Sequence, residues 1–279
     1  MAQNIILIET STALCSVALA ENGQITAYRE SSAPKAHASL TAVFIQEMLD
    51  ERGLTLADCD AVCVSKGPGS YTGLRVGVST AKGLCFGSGK PLIAVGTLDT
   101  LVAQALCPSE SGCHPESHSH PERSEASLYR FIIPMIDARR MEVYSAVFAS
   151  CQSESTCQSE ASGQSEGSCQ SEGTCQSEQS EGVPSYIQQT ETAPAIIDET
   201  SFAEYLEQGS CLFIGDGAGK CADVIKHPNA HFCQCHPNAK AMLAPAMEAL
   251  NANRFEDVAY FEPFYLKEFV ATVSKKKLF

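Results

Sequence analysis

The chain has 279 residues, 44% of them apolar, and 33 Asp and Glu stand against 19 Lys and Arg for a formal charge of −14. That length supports one large or two modest domains with real cores, and the charge has the wrong sign for a protein that holds a polyphosphate by itself. Fourteen cysteines, scattered singly or placed in a low-complexity repeat, form no small disulfide framework, and no stretch of eighteen apolar residues occurs; without a basic start or cleavable apolar run, we expect a cytoplasmic protein with reduced thiols and no membrane partner.

In chain order, Asn4 to Ile8, Leu14 to Leu19 and Gln24 to Arg29 read as strands, with Glu21-Asn22-Gly23 as the hairpin signal between the last two. A helix from Ala36 to Arg52 follows, with Leu40, Val43, Phe44, Met48 and Leu49 on a broad apolar face and Gly53 as its stop. Then come a strand from Asp60 to Ser65, a glycine-rich bend, a helix from Tyr71 to Phe86, a strand from Pro91 to Val95 and a helix from Leu98 to about Leu106. This β-β-β-α-β-α-β-α order suits a ribonuclease-H-like half, a mixed sheet with helices against it. The theme partly recurs later, with strands at Arg130 to Asp137, Glu142 to Ala149, about Ser185 to Thr190 and Cys211 to Ile214, and a helix near Ser201 to Glu207.

Two segments interrupt this pattern. Residues 108–127 are rich in Ser, Glu, His and Pro, and residues 150–182 repeat a hexapeptide that starts at Cys151, Cys157, Gly163, Cys169 and Cys175. Neither holds the apolar residues that a core requires, so both read as solvated insertions, the second at an extended hairpin tip. The expected layout is an N-terminal half over 1–107, the 108–127 insertion, and a C-terminal half over 128–279 interrupted by the repeat. The basic tail Ser274 to Lys277 reads as a solvated terminus.

The bend Ser65-Lys66-Gly67-Pro68-Gly69-Ser70-Tyr71-Thr72-Gly73 is the most informative stretch. Pro68 fixes one φ, Gly67 and Gly69 permit turns a side chain would forbid, and Ser70 or Thr72 can cap the next helix, so its backbone amides would face an anion. Gly73, Gly77 and Ala81 then stand four apart on one helical face. An interior glycine costs about 1 kcal/mol against alanine, which points to close approach of a second helix.

With Ile5 to Thr12 and Met135-Ile136-Asp137-Ala138-Arg139-Arg140-Met141-Glu142-Val143-Tyr144, this bend resembles the bacterial TsaB (YeaZ) family, closely over residues 3 to 106 and more loosely from 129 onwards. The resemblance implies an α/β fold of two ribonuclease-H-like halves of the sugar-kinase, heat-shock-protein and actin superfamily, the second half eroded. It also implies a non-catalytic subunit in synthesis of N6-threonylcarbamoyladenosine on tRNA, supporting the transferase TsaD, recruiting the ATPase TsaE, pairing with itself when alone and meeting tRNA only through the complex. The chain itself requires no cofactor on this reading; ATP or ADP would belong to the complex interface. The implied partner surface is His37, Leu40, Phe44 and Met48 on the first helix with Tyr71, Gly73, Leu74, Gly77, Val78 and Ala81 on the second. In the superfamily, turns matching Glu9, Thr10 and Ser11, and Gly215 to Gly219, approach a nucleotide. Glu9, Thr10, Ser11, Gly67, Gly69, Ser70, Gly215 and Gly217 are therefore candidate nucleotide contacts, with plain β-turns as the alternative. Asp137 and Arg139 read as an ion pair that fixes a hairpin.

Other motifs fail on their spacing. Gly67 to Gly73 has three residues between its last glycines where a dinucleotide fingerprint has two, and Gly89-Lys90 and Gly219-Lys220 lack the earlier glycine of a phosphate loop. Gly163 to Gly167 spells a hydrolase elbow inside the repeat, without the strand and helix it needs. Catalytic relatives carry a His-x-x-x-His metal pair after the strand that matches Pro91 to Val95, and here that place reads Gly96 to Val102 with no histidine. His114 and His118 share that spacing but lie around Pro115. His227, His231, Cys233, Cys235 and His236 are dense enough for zinc, yet look like a local duplication. We therefore expect neither catalytic nor metal-ligating residues. The contrasting hypothesis is an enzyme, a nucleotide-dependent transferase or a peptidase, that loses activity when Glu9 or Ser70 is changed.

Overall fold

The structure, a computed structural model, describes residues 3–106, 129–151 and 185–266. Its first sheet contains β1 (Asn4–Glu9), β2 (Cys15–Glu21), β3 (Gln24–Ser31), β4 (Ala61–Gly67) and β5 (Leu92–Gly96), in the order β3-β2-β1-β4-β5. Strand β1 is antiparallel to β2 and parallel to β4, which is parallel to β5. Asn22 and Gly23, both at positive φ, close the β2–β3 hairpin where the sequence predicts it. Every residue of β1 is buried because both faces of the sheet are covered. Helices α1 (Ala36–Arg52) and α2 (Tyr71–Ser88) press Ile45, Met48, Val78 and Ala81 onto Ile6, Ile8 and Val17. On the other face, Ile5, Leu7 and Ile93 meet Met242 and Ala246, the latter on a helix near the C-terminus.

The second sheet contains β6 (Phe131–Asp137), β7 (Glu142–Ser145), β8 (Phe148–Ser150), β9 (Tyr186–Gln188), β10 (Ala193–Ile196), β11 (Cys211–Gly215) and β12 (Ala230–Gln234). Its main path is β10-β7-β6-β11-β12, with β8 on β6 and β9 on β8. Strand β6 is antiparallel to β7 and parallel to β11, and β11 is parallel to β12. This repeats the first sheet's order and pairing senses. The helices differ: α4 (Ala203–Gln208) and α5 (Ala218–Ala222) are six and five residues long, against seventeen and eighteen for α1 and α2. Helix α3 (Thr97–Leu106) joins the sheets, carrying Leu98, Leu101 and Val102 into a core with Ile132, Ile136 and Ile214.

Some expectations need correction. The single strand expected from Glu142 to Ala149 breaks between β7 and β8, where Val147 turns its amide to Thr190 Oγ1 (2.9 Å) and its carbonyl to the Gln189 amide (2.7 Å). Strands β10 and β12 and helix α6 (Leu243–Asn251) were not expected. A proline in β10 and two polar residues in β12 blur the strand pattern, and Pro245 suits only the first turn of α6. The two insertions fall mostly outside the described residues. The ends that flank the repeat are bonded to each other, Cys151 N–H to the Ser185 carbonyl at 2.8 Å. Among the described residues no helix is long and apolar enough to cross a membrane.

Candidate functional site: a cleft and an outward helical face

Three turns converge on one open cavity of about 740 Å³, lined among others by Ser11 and Thr12 after β1, Gly69 and Ser70 of the bend, and Asp137 at the end of β6 with Arg139 after it. Beneath it lies a buried polar cluster. Glu9 is fully buried and its Oε1 accepts the Ser11 amide at 2.6 Å, while its other oxygen and the hydroxyls of Thr10, Ser11 and Thr12 have no hydrogen-bond partner among the described residues. Burial drives the Glu9 carboxyl above its ordinary range, and the same cause raises Asp216, which also lines the cavity and accepts the Asp137 amide at 2.8 Å.

Three amides of the nest predicted to face an anion are spent within the chain. Ser70 N–H donates to the Ser11 carbonyl at 2.6 Å, Ser70 Oγ caps α2 by accepting Gly73 N–H at 3.3 Å, and Leu74 N–H returns to the Ser70 carbonyl at 2.9 Å. Of the candidate nucleotide contacts, Ser11, Gly69 and Ser70 line the cavity, and Glu9 and Thr10 lie buried below it. Gly67, Gly215 and Gly217 have packing reasons instead. A Cβ on Gly67 would press on the Phe264 carbonyl, and one on Gly215, at φ 132°, would strike the Met135 carbonyl; Gly217 N–H bonds that carbonyl at 3.0 Å.

The close approach that Gly73 and Gly77 permit is also internal. A Cβ on Gly73 would collide with the Thr10 carbonyl, and one on Gly77 with the Thr10 hydroxyl. They admit the β1–β2 turn of their own protomer, not a second helix. Met48, Leu74, Val78 and Ala81, expected at a partner surface, are likewise buried core residues. The apolar face of α1 is rotated from the predicted one: Ala36, Thr41, Ile45, Met48 and Leu49 point inward. Thr41 can do so because its hydroxyl donates to the His37 carbonyl at 2.6 Å and lies 3.4 Å from Cys15 Sγ.

Part of what remains outside is nonetheless apolar. Val43 is 45% exposed, with Leu40 and Phe44 half-buried beside it. On α2, Thr72, Ser79, Gly83 and Gly87 are exposed, and a Cβ added at Gly83 or Gly87 would meet nothing within 4 Å. His37 ties the start of α1 to the cleft, donating from Nε2 to the Thr12 carbonyl at 2.9 Å. Tyr71 is half-buried at the start of α2, with the Arg75 guanidinium 4.7 Å from its ring centroid.

A family profile described as TsaD: tRNA N6-adenosine threonylcarbamoyltransferase matches residues 29–275. The chain is 39% identical over 101 residues to the tRNA threonylcarbamoyladenosine biosynthesis protein TsaB of Escherichia coli, an alignment covering 36% of this chain and 43% of that protein. It is 38% identical over 144 residues to the TsaB of Haemophilus influenzae, covering 51% and 53%. The chain belongs to the TsaD family, as one of its TsaB (YeaZ) members. It spans about half the length of the curated relatives it matches. In fold it is similar to YeaZ from Pseudomonas aeruginosa, with a TM-score of 0.68 at 21% identity, covering 95% of this chain and all of that one.

Within this TsaB-type framework, several sequence expectations find their place. Asp137 does not pair with the Arg139 side chain. It accepts the Arg139 amide at 2.8 Å and pairs with Lys220, whose Nζ also donates to the carbonyls of Arg140 (2.9 Å) and Glu142 (2.6 Å). This clamp holds a turn in which Arg139 and Arg140 both adopt positive φ, a conformation that side-chain-bearing residues seldom take. Sequence reading missed Lys220 because its partner lies 83 positions away. The His227–His236 group is dispersed: Cys233 is buried in the second core and the His231 ring lies 5.1 Å from that of Tyr129. Among the described residues, no three His, Cys, Asp or Glu side chains gather as metal ligands. His114, His118 and the Gly163–Gly167 elbow lie outside the described residues.

Proposed function

We propose that the chain is a non-catalytic subunit of tRNA N6-threonylcarbamoyladenosine synthesis that docks the outer surface of α1 and α2 on TsaD, or on a second copy of itself when TsaD is absent. One observation carries this reading: α1 leaves Val43 exposed between half-buried Leu40 and Phe44, while α2, which contacts α1, is left bare at Gly83 and Gly87. Bare positions let a partner helix approach closely, and an apolar strip gains by losing water. The net charge of −14 is consistent with reaching tRNA only through the complex. Recruitment of TsaE, cytoplasmic location and the domain limits 1–107 and 128–279 belong to the same proposal. We further read the two sheets as ribonuclease-H-like halves of the sugar-kinase, heat-shock-protein and actin superfamily, the second eroded to the short helices α4 and α5.

Val43→Glu tests the docking face without disturbing the core. It should keep the melting temperature and lower co-purification with TsaD by at least about tenfold, because a charge enters an apolar contact; unchanged complex formation would reject the proposal. Val78→Glu is unsuitable, since Val78 is buried and the change would unfold the chain.

A second reading, nucleotide binding in the cleft, draws support from Ser11 and Thr12, which line it and whose buried hydroxyls have no hydrogen-bond partner among the described residues. Calorimetric titration with ATP and ADP should then give binding that Ser11→Ala weakens. Heat indistinguishable from dilution, both alone and with TsaD, rejects it.

A further inference from the structure

Residues 254–266 form a strap over the first half of the molecule. Its beginning is firmly seated: Glu256 forms an isolated antiparallel bridge with Leu92, its amide donating to the Leu92 carbonyl at 2.8 Å, and Val258 and Phe261 pack on the first core. A staple follows, as Lys82 Nζ on α2 donates to the carbonyls of Ala259 (3.2 Å) and Phe261 (2.9 Å). Beyond the staple the strap stands off α2, with a cavity of about 500 Å³ between Arg75, Val78 and Ser79 on one side and Glu262, Pro263 and Tyr265 on the other. It touches down again at the cleft. Phe264 N–H donates to the Lys66 carbonyl at 2.7 Å, the Tyr265 ring lies 5.0 Å from that of Tyr71, and Phe264, Tyr265 and Leu266 line the cleft beside Ser11 and Gly69.

We propose that residues 262–266 are a latch that closes one wall of the cleft and unseats when a partner engages the first turn of α2; the coupling to a partner rests on the docking function proposed above. The outer arm is weakly held for its size. Phe264 and Tyr265 remain 44% and 36% exposed, and a hollow lies under the span between staple and tip. A segment with few buried apolar contacts and exposed backbone hydrogen bonds opens locally at a small fraction of the global unfolding free energy. Opening would merge the two cavities, because Tyr265 forms a wall of both. The coupling element is the Tyr265–Tyr71–Arg75 stack. Tyr71 and Arg75 belong to α2, so a partner that reorients either side chain removes the seat of Tyr265.

Amide hydrogen exchange tests the latch in the full chain alone. The Phe264 amide should exchange at least about tenfold faster than the Glu256 amide. Tyr265→Ala should speed Phe264 further while leaving Glu256 and the melting temperature unchanged. Equal rates at Phe264 and Glu256, or no response to Tyr265→Ala, would overturn the latch. A titration with TsaD tests the coupling: removal of a competing strap should tighten binding several-fold in Tyr265→Ala. Equal affinity of wild type and variant rejects the coupling, whereas absence of binding by both rejects the docking function and leaves the exchange result to decide the latch.

Discussion

Gly73→Ala is expected to remove most of the stability of this chain. The added methyl group would sit well under 3.0 Å from the Thr10 carbonyl, and that oxygen belongs to backbone between β1 and β2, in the most buried part of the sheet. Relief requires α2 to move off a core that includes Val78 and Ala81, so the cost should be about 3–5 kcal/mol, the upper range for overpacking. Gly83→Ala in the same helix should act in the opposite direction. Its methyl group meets open space, so the change should stabilise the isolated chain by about 1 kcal/mol through helix propensity and, on the proposed function, weaken docking on TsaD. Urea denaturation of the two variants beside wild type checks the contrast. Similar shifts in both would mean that the glycines of α2 are not divided between an inner and an outer duty.

Glu9→Gln should stabilise the chain at high pH and do little at low pH. Burial raises the Glu9 carboxyl above its ordinary value of 4.5. Below that value folded and unfolded chains both carry the proton. Above it the unfolded chain ionises first while the folded chain keeps the proton, so stability contributed by the neutral carboxyl is lost as pH rises toward the folded value. Glutamine mimics the neutral acid and can still accept the Ser11 amide, so the variant escapes the loss. The gain is expected to be larger at pH 8 than at pH 5, read from denaturation midpoints across that range. Parallel curves for the two proteins would show that Glu9 does not titrate differently on folding.

The local features of the first half were legible in the sequence because they are short-range. Alternating and continuous apolar runs marked β1 to β5, Asn22-Gly23 marked its hairpin, Gly53 ended α1 and Ser70 capped α2. The second half was less readable. Its strands are three to five residues long apart from β6, and sheet order rather than residue pattern makes it a repeat of the first. The candidate site was half visible. Ser11, Gly69 and Ser70 line the cleft, as does Asp216 of the glycine-rich turn singled out in the sequence, but Tyr265 enters from a distant stretch with no local signature.

The glycine spacing on α2 shows where sequence stops and tertiary structure begins. From the chain alone, the cost of Gly73 and Gly77 in a helix interior points to something that comes very close. The sequence does not say what comes close, because contact distance is a property of two surfaces and only one is written in the motif. Folding assigns the inner glycines to Thr10 and leaves Gly83 and Gly87 bare. The same holds for α1, whose apolar residues occur all round: composition made it a helix with too much apolar surface, and only packing against the first sheet decided that Met48 goes in and Val43 stays out.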